Sequence, residues 1–164
     1  MDKTLKGEGA ADIPFGVSQV LNGNKSNSPR NYILRITREE WFRQVFSIKK
    51  YFPGVPRRWE PGGVILLVRK AEKGDSFVGY GVLGEFVKKD DLPEDKKQEC
   101  EKMGWKGVLV FNKLYRFEPP LPIKETVLSG LKARGRCLHG YPLTEDQVNS
   151  ILRTAKEKTV LQEV

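Results

Sequence analysis

The stretch from Phe77 to Val87 constrains the fold more than any other part of the chain, because its strand-forming residues are broken by Gly79, Gly81 and Gly84. Glycine weakens a strand interior, and where it recurs it marks a bulge, a barrel corner or a place where other atoms lie directly against the backbone. Three in one strand predict a strongly curved sheet. Just before it, Val64 to Val68 form a continuous apolar run, the pattern of a strand buried on both faces. Lys73, Gly74 and Asp75 turn the chain between the two.

Upstream, Tyr32, Leu34 and Ile36 alternate with Ile33 and Arg35 in the period of a half-buried strand. Thr37 and Glu40 have capping-box spacing ahead of a helix. In that helix Trp41, Val45, Ile48 and Phe52 recur at helical intervals, Phe42 and Phe46 form an adjoining stripe, and Pro53 with Gly54 end it. Gly54 to Gly63 reads as a loop. Downstream, Leu92 to Met103 is a charged segment of helix formers closed by Gly104, and Gly107 to Phe117 is a strand. Glu118 to Pro122 is expected to leave the sheet, since consecutive prolines cannot join a ladder. Thr126 to Leu131 is expected as a short helix. Thr144 and Gln147 make a second capping box, opening a helix through Val148, Ile151, Leu152 and Ala155.

The 164 residues fit one ordinary domain with a core of its own. Residues 1–29 are rich in turn formers and read as a flexible arm, residues 30–158 as the domain, and residues 159–164 as a tail or the start of a linker. Curved strands interleaved with two or three helices predict an α+β fold, a small twisted barrel flanked by helices. There is too little strand–helix alternation for a doubly wound parallel sheet. Cys100 and Cys137 lack the spacing of a zinc site or a disulfide framework, and Asp90, Asp91, Glu94 and Asp95 are interleaved with lysines, so neither metal nor cofactor is expected. No run reaches the length of a membrane span and no signal-peptide core opens the chain, which points to the cytoplasm.

Lys and Arg number 29 against 21 Asp and Glu, a formal charge of +8, which favours phosphate-bearing partners. Positive residues concentrate between Arg30 and Arg58, with Arg35, Arg38, Arg57 and Arg58 among them, opposed there only by Glu39 and Glu40. Lys132, Arg134 and Arg136 form a second, glycine-broken cluster, and Lys70 adds to the count. All of these are candidate phosphate contacts, and a solvated charged surface is the plain alternative. Support for catalysis is thin: His139 lies near Cys137, with no G-x-S-x-G elbow and no placed third member of a triad. The chain is therefore expected to bind rather than to catalyse.

The order of strand, aromatic helix, Trp59 loop, strand, VGYGVLGEFV and FNKLYRFEPPLP resembles the PUA-like superfamily, particularly its EVE and YTH branches. The G-x-K-x-x-E-x-R pattern of the ASCH branch is absent. The resemblance runs from about Tyr32 to Leu152, and its most recognisable parts are the glycine-rich strand and the return through Phe117, Pro119, Pro120 and Pro122. It implies a barrel-like sheet with a pocket for a flipped base, methylated adenine in YTH proteins and modified cytosine as the suspected EVE ligand. Such domains also open archaeal McrB-type restriction GTPases, which implies DNA ahead of RNA as partner and an AAA+ motor following this domain in a longer protein.

A base reader needs a cationic surface for phosphates and aromatic rings on which the base stacks. Trp59 sits in a loop between Arg58 and Glu60, off any periodic apolar face, so it is a candidate pocket wall whose removal should leave the fold intact. Trp41 lies on the helical stripe and reads first as core. Trp105 is a third candidate. Phe77 and Tyr80 lie on the glycine-rich strand, where small neighbours leave room for a planar base, though packing explains them nearly as well. Asn112 is polar within an apolar strand and has an amide able to read a base edge, unless it only marks a turn or an edge.

Overall fold

The computed structural model describes residues 29–164. The expected N-terminal arm lies outside the described residues except for Pro29. The elements are β1 (Asn31–Arg35), α1 (Glu39–Ile48), β2 (Lys50–Tyr51), β3 (Val64–Ala71), β4 (Gly74–Lys88), α2 (Glu94–Met103), β5 (Gly107–Pro122), β6 (Pro142–Leu143), α3 (Glu145–Lys158) and β7 (Val160–Glu163).

The seven strands among the described residues join one sheet, in the order β2-β5-β4-β3-β1-β6, with β7 pairing to β5 beside that path. Helix α1 is the crossover of a βαβ unit whose strands β1 and β3 run parallel, Tyr32 opposite Ile65 and Leu34 opposite Leu67. The remaining pairs are antiparallel. The expected barrel is not closed by strand pairing among the described residues: β2 and β6 end the order. The two ends approach through side chains instead, Tyr51 of β2 meeting the ring of His139, just before β6, at 6.4 Å.

Both faces of the sheet are covered, as the unbroken apolar run of β3 predicts. Leu34, Ile65, Leu67 and Leu83 belong to one core with Phe42 and Val45 of α1. Ile33, Leu66, Val68 and Phe77 belong to a second core with Val148, Ile151 and Ala155 of α3. Burying a single Leu or Ile side chain contributes about 1.5–3 kcal/mol, so these two layers dominate the stability.

The glycine strand curves through bulges. Leu67 pairs with Gly79 and Val68 with Phe77, which leaves Val78 as an extra residue on β4, and further register shifts fall around Leu83 and Gly84. Gly81 is required for contact: a Cβ there would fall 2.6 Å from the ring of Phe111.

Several local expectations differ from the structure. The N-cap of α1 is Arg38, not Thr37, and it makes no side-chain cap bond; Glu40, expected to complete a capping box, is taken by the Arg38 guanidinium at 2.7 Å. The helix ends at Ile48, ahead of Pro53, because Lys49 adopts the left-handed conformation and gives its carbonyl to Phe111 N, turning the next residues into a strand on β5. Consequently Phe42 and Val45 are buried while Ile48 is exposed. The Glu118–Pro122 segment stays in the sheet. Pro119 and Pro120 occupy the interval where β5 jumps from Arg116, opposite Gly79, to Leu121, opposite Phe77, so neither is asked to bond to β4, while Pro122 stands opposite Ser76 at the end of the strand. Thr126–Leu131 is a series of turns rather than a helix. Residues 160–163, expected as a tail, are β7, which docks on Tyr115–Glu118. The Thr144–Gln147 capping box is present in both directions, at 3.1 and 2.9 Å.

Candidate nucleic-acid interface

The loop between β2 and β3 is pinned along its length. Lys106 N donates to Pro53 O at 2.8 Å, Gly62 N donates to Leu83 O at 2.7 Å, and Arg57 Nε donates to Gly140 O at 2.7 Å. Trp59 anchors the middle: it is only 7% exposed and meets Tyr32 edge to face, ring centroids 5.1 Å apart. Trp59 falls on no periodic apolar face, the reason to expect it outside the core; the loop folds inward and buries it nonetheless. Its Nε1 proton is buried without an acceptor among the described residues.

An open groove of about 310 Å³ lies beside this loop. Trp59, half-buried Phe86 and Pro56 give it apolar surface, while Arg57, Lys88, Lys89 and Lys106 give it positive charge. Asp90 is the one acidic residue lining it, and its carboxylate already faces Lys97 at 3.7 Å. Among the described residues no carboxylate lies within ion-pair distance of Lys88, Lys89 or Lys106. Arg57 is held by backbone carbonyls alone, those of Gly140 and Pro56. Cations left without counter-charges beside an aromatic surface attract an anion that carries a planar group.

Of the residues singled out from sequence, the groove gathers Trp59 and Arg57. Phe77 and Tyr80 belong to the α3 face, the opposite side of the sheet; three residues apart, they share that face because of the bulge at Val78. Phe77 is fully buried, and Tyr80 stacks on Tyr115 at 4.8 Å, its hydroxyl pushed up to about 12 mainly by burial. Trp41 and Trp105 meet edge to face at 6.3 Å, and Trp105 stacks on Phe52 at 4.9 Å, a separate half-buried cluster. Asn112 is an exposed bulge residue of β5, its amide oxygen against Gly84.

The candidate phosphate contacts also divide. Arg35 pairs with Asp75 at 2.9 Å with both side chains largely covered, and Arg38 and Arg58 pair with Glu40 and Glu60. Lys132, Arg134 and Arg136 are exposed on the segment that leads into Gly140, with Arg134 turned back on the carbonyls of Leu131 and Ala133. Lys70 lines a different cavity. Sequence reasoning missed Phe86, Lys88, Lys89 and Lys106, which looked like the end of a strand and the margins of a solvated charged stretch. The signal available was the lysine pair directly after a Phe-Val strand end.

His139 is enclosed on two sides, by Tyr51 and by the Arg35 backbone. Burial, chiefly, and the Arg57 and Arg35 charges push its pKa below the usual value, and Arg35 N donates to Nδ1 at 3.1 Å, a bond that needs this nitrogen unprotonated. Cys100 is buried, and that burial pushes its thiol pKa up. Among the described residues no helix is long and apolar enough to cross a membrane.

The protein matches an ASCH protein from Zymomonas mobilis of known crystal structure, with a TM-score of 0.52 over 79% of this chain and 96% of that one, at 12% identity. At that identity the likeness is one of fold, and the G-x-K-x-x-E-x-R pattern of the ASCH branch is absent from this sequence. No family model and no curated protein matches the sequence.

Proposed function

We propose that the protein is a nucleic-acid-binding module which holds the phosphates of a strand with Arg57, Lys88, Lys89 and Lys106 and takes one unpaired base into the groove against Phe86, over a floor made by Trp59. The observation that carries this reading is the coincidence, in one groove, of cations without carboxylate partners and an accessible aromatic ring. Stacking a base on an aromatic side chain contributes about 1–3 kcal/mol, and the Trp59 Nε1 proton is a donor in need of an acceptor. The module binds and leaves chemistry to others; the finer reading, a flipped modified base in the DNA of a restriction system with an AAA+ motor, rests on the EVE- and YTH-like sequence features alone.

Fluorescence anisotropy with matched DNA and RNA oligonucleotides, plain or carrying N6-methyladenine or 5-methylcytosine, tests both levels. The logarithm of the affinity should fall linearly with the logarithm of salt concentration, and Phe86→Ala should weaken binding at least about fivefold, the lower end of the stacking range. A preference of about tenfold, or 1.4 kcal/mol, for one modified probe would carry the finer reading. Salt-independent binding, or a Phe86→Ala protein that binds as the wild type does, would refute the groove.

A further inference from the structure

On the α1 face, between that helix, the end of β3 and the second half of β5, lies another cavity, of about 270 Å³. Arg69, Lys70 and Arg116 line it together with one acid, Glu118, and with Phe42, Val78 and Pro120 as apolar wall. The two guanidinium groups are fixed by ring contacts: Arg69 lies 4.5 Å and Arg116 5.2 Å from the centroid of Phe42, and Arg116 also sits 5.3 Å from Phe46. Each is engaged by one carboxylate, Arg69 NH1 donating to Glu39 at 2.8 Å and Arg116 Nε pairing with Glu118 at 3.2 Å. A guanidinium has five N–H donors, so most of the donors of both groups stay available. Lys70 has no carboxylate within ion-pair distance among the described residues.

We propose that this cavity is a phosphate site distinct from the groove, in which Arg69 and Arg116 grip one tetrahedral anion from two sides and Lys70 adds a third charge. Two arginine forks held at fixed orientation by an aromatic ring suit the several oxygens of a phosphate group better than a single-point cation does. The side chains lose little freedom on binding, because the ring contacts have already ordered them. The phosphate is either free or part of a nucleic-acid strand, and the site's chemistry is the same in both cases.

The test follows the Nε–H signals of Arg69 and Arg116 by NMR in the full chain, titrated separately with inorganic phosphate and with a single-stranded oligonucleotide. The Phe86 ring signals report the groove in the same samples. Inorganic phosphate should move both arginine signals, and Arg69→Gln with Arg116→Gln should weaken phosphate binding about tenfold or more. Arg69→Lys, which keeps the charge and the fold but not the fork, should recover only part of that loss. If the oligonucleotide also moves these signals, the phosphate belongs to a strand, and the double variant should flatten the salt dependence; if only inorganic phosphate does so, the site serves a free anion. Arginine signals unmoved by either probe, or unchanged phosphate binding in the double variant, would overturn the proposal whether or not Phe86 responds.

Discussion

Arg57 Nε and the carbonyl oxygen of Gly140, 83 residues apart in sequence, form a 2.7 Å hydrogen bond that ties the Trp59 loop to the segment entering β6. It spans the side on which strand pairing leaves the sheet open, and it fixes the one arginine of the groove. Gly140 has φ +79, and a Cβ there would stand 3.0 Å from the guanidinium. Gly140→Ala should therefore destabilise the fold by about 1–2 kcal/mol through its left-handed backbone, while displacing Arg57. Urea unfolding and oligonucleotide affinity should both change; wild-type values for both would show that the clasp does not matter.

Trp59 and Phe86 should separate stability from binding. Trp59 is buried, so Trp59→Ala should cost about 3–5 kcal/mol, as large aromatic deletions from cores do. This corrects the expectation, drawn from its loop position, that the change leaves the fold intact. Phe86 is only half-buried, and Phe86→Ala should cost markedly less stability while weakening oligonucleotide binding. Thermal unfolding of the two variants decides the order.

His139 should make stability pH-dependent on the acid side. Its pKa is lowered in the folded state, so the unfolded chain binds more protons between the two values and stability rises with pH through that interval. The contribution is complete above the unfolded value of about 6.5 and is lost as the pH falls through the folded value. His139→Asn keeps an acceptor for Arg35 N but does not titrate, so its unfolding midpoint in urea should lose this part of the slope.

The curvature of β4 rests on Gly81 more than on strand propensity. Gly81→Ala would place a methyl 2.6 Å from the Phe111 ring and 2.9 Å from Leu114, and should destabilise by about 1–3 kcal/mol through overpacking. Denaturant unfolding measures this, and the paired variant with Phe111→Leu should recover part of the loss.

The helix α3, with its capping box, is local and was legible: Thr144 and Gln147 recognise each other three residues apart, so spacing alone specifies the contact. The same holds for β3, whose unbroken apolar run needs two covered faces, and for the bulged character of β4, since clustered glycines have few other uses. The Thr37–Glu40 box was equally plausible by spacing and is absent, because Arg38 competes for the Glu40 carboxylate. Phe77 and Tyr80 were candidates for one pocket with Trp59, whereas both lie on the α3 face, brought together there by the extra residue at Val78; a bulge is set by how two strands pair, which no single strand encodes. Strand β3, helix α3, the curvature of β4 and the excess of positive charge follow from neighbours within a few residues and are legible in the chain. Where that charge is usable depends on contacts between distant residues: Asp75 pairs with Arg35, 40 residues away, and chain crossings bring Lys88, Lys89 and Lys106 to Arg57.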